Sequence, residues 1–140
     1  MKKIVVLISG RGSNFEAILR VSREEAWAET CDARIEAVIS NRPEAAGLEI
    51  ARNAGIDAVA LDHKAYPSRE AFEEALAEVV DRYDPDAIVL AGFMRVLTEG
   101  FVSRYEGRIL NIHPALLPLF SIITQKEQKI HIFCSSFPNL

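Results

Sequence analysis

Apolar runs recur along the chain at Lys3–Ser9, Arg34–Ser40, Ala58–Leu61, Ala87–Ala91 and Arg108–His113. The first and fourth are continuous rather than alternating, the pattern of strands covered on both faces in the middle of a parallel sheet. Between the runs the apolar spacing changes to the helical period. Phe15, Ile18 and Leu19 form one such set, and Phe72, Leu76, Val79, Val80 and Tyr83 another. Ser13 and Glu16 stand at capping-box spacing, which predicts a helix beginning at Ser13 or Asn14. Helix and loop then extend through Thr30, with Trp27 as a packing residue. Asn41-Arg42-Pro43-Glu44 predicts the cap and first turn of a helix running to Asn53 and ending at Gly55. Pro67-Ser68-Arg69-Glu70 opens the next, closed by the turn Asp84-Pro85-Asp86, and Thr98 caps one through Tyr105 that Gly107 ends. Strands alternating with helices predict an α/β fold, a doubly wound, Rossmann-like, mostly parallel sheet with right-handed crossovers.

With 140 residues, 49% hydrophobic and 26% charged, the chain has the size and balance of one globular domain. A net charge of −4 leaves no electrostatic footprint for nucleic acid. The apolar run after Met1-Lys2-Lys3 is short and ends in Ser9-Gly10-Arg11-Gly12, unlike a secretory signal, and no segment reaches membrane-spanning length. Cys31 and Cys134 have no metal or redox spacing, so free thiols, a reducing cytoplasm and no bound metal are expected. Nothing in the pattern specifies an oligomeric state or a membrane partner.

Three loops follow strands and therefore fall on the carboxyl edge of the sheet, where open α/β sheets bind ligands. Gly10-Arg11-Gly12-Ser13-Asn14 joins the first strand to a helix start, which is either a tight turn or a cradle of backbone N–H groups for a phosphate. Phe93-Met94-Arg95-Val96-Leu97 is either loop packing or the wall of a pocket for a flat ring. Asn111 and His113 are two residues apart on an apolar strand that Pro114 terminates, so their side chains share one side. Such a pair is either a cap and a rim histidine, or an oxyanion donor and a proton carrier. Arg69, in the first turn of its helix, reads as solvated, and His63 as a surface residue.

Taken together, these residues resemble the glycinamide ribonucleotide formyltransferases, folate-dependent enzymes of purine biosynthesis. The resemblance rests on Val5-Val6-Leu7-Ile8-Ser9-Gly10-x-Gly12-Ser13-Asn14, Ile39-Ser40-Asn41, Leu90-Ala91-Gly92-Phe93-Met94-Arg95-Val96-Leu97 and Leu110-Asn111-Ile112-His113-Pro114-x-Leu116-Leu117-Pro118. It implies formyl transfer from 10-formyltetrahydrofolate to the amine of phosphoribosylglycinamide. By the same resemblance, Gly12, Ser13 and Asn14 would hold the ribose phosphate. Arg69, Met94, Arg95, Val96 and Leu97 would line the folate site, which replaces the solvated reading of Arg69. Asn111 would contact the formyl group, and His113 would be the proton donor. The last two motifs occur in looser form in methionyl-tRNA formyltransferase and formyltetrahydrofolate deformylase. A ribose-phosphate-binding module without catalysis is a further reading.

The resemblance covers residues 1–118, expected as an N-terminal α/β domain with the C-terminal part of the fold incomplete. Residues 119–140 contain neither Gly nor Asp, and their only acid is Glu127. Family members carry an Asp there that raises the pKa of the catalytic histidine. A frameshift or premature stop is therefore expected to have replaced the C-terminal part, leaving little transferase activity. Lys129–Phe133 is expected either to pair as a strand or to lie exposed.

Overall fold

The computed structural model describes residues 1–30, 32–112, 121–124 and 130–132. His113, the run Pro114–Pro118, Cys31 and Cys134 lie outside the described residues. Chain order is β1 (Lys2–Ile8), α1 (Ser13–Glu24), α2 (Trp27–Thr30), β2 (Ala33–Ser40), α3 (Ala46–Asn53), β3 (Asp57–Ala60), α4 (Arg69–Tyr83), β4 (Ala87–Leu90), α5 (Glu99–Arg104), β5 (Ile109–Ile112), β6 (Ser121–Thr124) and β7 (Ile130–Ile132). The sheet runs β3-β2-β1-β4-β5-β6-β7. The first five strands are parallel, and β6 and β7 are added antiparallel.

Strand order reverses direction between β1 and β4. β1, β2 and β3 are wound outward one way, after which the chain returns past β1 to β4. Period-two geometry then divides the core. Ile4, Val6 and Ile8 pack with Phe15, Ile18, Leu48 and Ala51 of α1 and α3. Val5 and Leu7, on the opposite face, pack with Phe72, Leu76 and Val80 of α4 and with Phe101 and Tyr105. β1 is covered on both faces, as its unbroken apolar run requires. Trp27 is buried in the α1 face of the core, the packing role read from sequence.

Two expected helix starts differ in detail. α1 begins at Ser13, but its N-cap is Gly12 in the left-handed region, φ +80°, and no side chain caps it. The Ser13–Glu16 capping box is therefore not made. α3 begins at Ala46 rather than at Asn41-Arg42-Pro43, because the Asn41 side chain is engaged elsewhere and Ser40 Oγ accepts from the Arg42 amide at 3.0 Å, closing a turn instead. The stretch up to Thr30 is α1, a break and the short α2, since Ala26 adopts φ +49° between the two helices.

α5 is pinned to α4 by polar contacts under the sheet. Tyr105 Oη donates to Asp81 Oδ1 at 2.7 Å, and Arg104 pairs with the same carboxylate. Burial and the hydrogen bond to Asp81 push the Tyr105 hydroxyl up to about 12. The folded chain holds that proton where the unfolded chain has released it, so the contribution is full below about pH 10 and is lost as pH rises towards 12. In chemical denaturation, Tyr105→Phe is expected to be destabilised at pH 8 and to converge on the parent protein by pH 12. A constant gap would show that the phenol does not titrate with folding.

Candidate functional site

The carboxyl ends of β1 and β4 meet at the topological switch point, the usual ligand crevice of such sheets. The turn after β1 depends on two glycines that touch. A Cβ on Gly12 would lie 2.5 Å from Gly47 Cα, and one on Gly47 would lie 3.1 Å from Gly12 Cα. The Gly47 amide donates to Gly10 O at 3.4 Å, so the start of α3 backs the turn from behind. Gly10, Arg11 and Ser13 remain exposed, Gly12 is buried and Asn14 is half-buried. The first-turn N–H groups of α1 have no partner within the helix and carry its positive dipole end. That open turn has the geometry of an anion cradle.

The loop after β4 is fixed at three points. Ser9 Oγ accepts from the Met94 amide at 2.7 Å, tying the end of β1 to the loop. The guanidinium of Arg95 lies 5.8 Å from the centroid of the Phe72 ring in α4. At the far end, Glu73 accepts from the Thr98 amide at 2.8 Å and also from the Thr98 hydroxyl. Glu73 is only 6% exposed, a buried acid that the spacing of α4 did not reveal. Its signal was the apolar face itself, since Phe72-Glu73 places an acid beside the buried stripe. Held in this way, the loop turns Met94 and Val96 outward, 76% and 72% exposed, while Leu97 is half-buried. Two projecting apolar side chains on a backbone fixed at both ends suit the face of a flat ring.

The two loops adjoin. A Cβ on Gly92 would meet Asn14 Nδ2 at 3.4 Å, so the amide that opens α1 reaches the start of the second loop. Asn111 belongs to β5, paired with Leu90 of β4 on one side and Ile123 of β6 on the other. Its backbone therefore ends one strand over from Gly92. Arg69 is the first residue of α4, exposed, and one turn from the Phe72 ring that carries Arg95.

His63 is not a simple surface residue. Its Nδ1 lies 3.1 Å from Asn41 Nδ2 and 3.0 Å from the Asn41 carbonyl, and its ring packs edge-on against Phe72 at 6.5 Å. Asn41 in turn accepts from Ser9 Oγ at 2.5 Å. Among the described residues no group of three or more His, Cys, Asp or Glu side chains could hold a metal ion, and no helix is long and apolar enough to cross a membrane.

A sequence profile described as formyl transferase matches residues 2–130. The chain is 50% identical over 117 residues to the phosphoribosylglycinamide formyltransferase of Escherichia coli (strain K12), covering 84% of this chain and 53% of that protein. It thus spans about half the length of that relative. Among solved structures, the phosphoribosylglycinamide formyltransferase of Brucella melitensis superposes with a TM-score of 0.77 at 40% identity, covering 92% of this chain and 76% of that one. The glycinamide ribonucleotide transformylase 1 of Symbiobacterium toebii gives a TM-score of 0.73 at 49% identity, covering 86% and 55% respectively.

Proposed function

We propose, because this chain belongs to the formyl transferase family, that it binds phosphoribosylglycinamide and a 10-formyl folate at one crevice and serves formyl transfer between them, in the cytoplasm and in purine biosynthesis. The observation that carries this reading is the junction of the two loops: the Gly10–Asn14 turn and the Met94–Leu97 segment share Ser9, whose hydroxyl accepts from the Met94 amide at 2.7 Å. A phosphate on the first and a folate ring on the second would bring amine and formyl group to the end of β5.

The proposed residue roles follow from charge. Gly12, Ser13 and Asn14 offer N–H donors and a positive dipole end to the phosphate dianion. Met94, Val96 and Leu97 give an apolar wall, with Arg95 and Arg69 as the cations beside it. The amine lone pair adds to the formyl carbon and pushes the carbonyl π pair onto oxygen; that pair returns as the bond to the folate nitrogen breaks, and the proton lost by the amine makes up the one gained by the departing nitrogen. Negative charge builds on the formyl oxygen during the exchange. An amide N–H from Asn111 and an imidazolium at His113 would stabilise it, and His113 would deliver the proton.

Calorimetric titration tests the reading on the chain itself. Phosphoribosylglycinamide and tetrahydrofolate are each expected to bind with one-to-one stoichiometry. Binding of the ribonucleotide alone would leave a ribose-phosphate module without a folate site. Binding of neither would overturn the assignment.

A further inference from the structure

Ile39-Ser40-Asn41 is one of the motifs on which the family resemblance rests, yet none of the ligand roles uses it. We infer that Asn41 is a positioning residue, which through Ser9 fixes the loop that would face the folate while leaving the phosphate turn to be held independently. The inference rests on the reading above for its ligands but not for its geometry.

The side chain of Asn41 is 2% exposed and stands among four segments that share no local sequence. Its Oδ1 accepts from Ser9 Oγ at the end of β1, 2.5 Å away. Its side-chain amide nitrogen and its backbone carbonyl both face Nδ1 of His63, which follows β3. That nitrogen serves one of them at a time: carrying a proton it donates to the carbonyl, and without one it accepts from Nδ2. Ser9 then passes the arrangement to the fourth segment. A hydroxyl has one proton to give; with that proton committed to Asn41, the oxygen's lone pairs are left to accept from the Met94 amide at 2.7 Å. Donating to a carbonyl also makes the hydroxyl oxygen a better acceptor. Removing the Asn41 side-chain carbonyl frees the Ser9 rotor and weakens the hold on Met94.

The phosphate turn does not depend on this chain of bonds. It is braced by the contact of Gly12 with Gly47 and by the bond from the Gly47 amide to Gly10 O. The far end of the second loop is likewise independent, since Thr98 is held by Glu73. Asn41 therefore controls one end of one loop.

Amide hydrogen exchange by NMR, together with calorimetry using tetrahydrofolate and phosphoribosylglycinamide, tests the assignment. In Asn41→Ala the Met94 amide is expected to exchange at least tenfold faster, with the Thr98 amide unchanged. Tetrahydrofolate should bind about tenfold more weakly and the ribonucleotide within twofold of the parent. Asn41→Asp, which keeps an acceptor for Ser9, should restore much of the Met94 protection. Ser9→Ala, a smaller excision, should repeat the Asn41→Ala result if that variant folds poorly. Unchanged Met94 exchange in both variants, equal acceleration at Thr98, or faster Met94 exchange with unaltered tetrahydrofolate affinity would each overturn the inference. Failure of the parent chain to bind tetrahydrofolate would instead overturn the functional reading, and the exchange data would still judge Asn41.

Discussion

Gly12→Ala is expected to cost this protein both the turn proposed to hold phosphate and a large part of its stability. Two separate effects add at this position. The backbone sits at φ +80°, where a side chain costs about 1–2 kcal/mol. The new Cβ would also stand 2.5 Å from Gly47 Cα, a backbone atom that can give way only if α3 shifts. Overpacking of this kind costs roughly 1–3 kcal/mol more. A loss of about 3 kcal/mol, seen as a fall of about 10 °C in Tm, is the expected sum. Affinity for phosphoribosylglycinamide should fall more than tenfold, because the first-turn amides move with the turn. Two neighbouring glycines make the comparison decisive. Gly47→Ala meets Gly12 Cα at 3.1 Å and Ile8 Cδ1 at 2.4 Å but carries no positive φ, so it should destabilise less. Gly10→Ala has nothing within 4 Å of its Cβ and should be nearly neutral in stability. If all three variants melt together, the contact between the glycines is not what holds the turn.

That contact also shows where the sequence was legible and where it was not. Runs such as Lys3–Ser9 and Ala87–Ala91 report burial on both faces, because a two-sided environment leaves no room for polar alternation. Strand-helix alternation then limits the topology to few choices, and the carboxyl-edge placement of the loops follows from it. The helix opening at Pro67-Ser68 and the cap at Thr98 were legible because their chemistry is local. Ser68 accepts from the Ala71 amide and Thr98 from the Phe101 amide, each three residues on. The same reasoning failed at Asn41, which looked like a cap but spends its side chain on Ser9, 32 residues away. It failed again at Glu73, whose partner Thr98 lies 25 residues on. Propensity at a polar residue describes its neighbours in sequence, whereas its partners in space depend on which strand ends are brought together. Likewise the cap at Gly12 is set by the close approach of Gly47, which no window around Ser13 contains.

The second large effect is expected at the end of β5. Asn111→Ala should slow formyl transfer about a hundredfold or more, the usual loss when one donor to a developing oxyanion is removed. The ribonucleotide should still bind within twofold, because the phosphate turn is one side of the crevice and β5 lies beyond β4 on the other. His113→Ala should lower the rate comparably but for another reason, the loss of the proposed proton carrier. The two are told apart by pH. A histidine that acts as proton donor loses that form as pH rises through its titration. The ratio of the parent rate to the His113→Ala rate should therefore be larger at pH 6 than at pH 7.5, since acidification fills the donor form and depletes the free amine equally in both. Asn111→Ala should keep the parent's pH profile at a lower level, because its imidazole is intact. His113→Ala should lose it. Single-turnover assays with the protein in excess over 10-formyltetrahydrofolate can read such slow transfer. Parent and His113→Ala rates in constant ratio from pH 6 to 7.5 would remove the imidazole from the chemistry. Equal rates for Asn111→Ala and the parent would remove the amide, and with both gone the crevice would be a binding site only.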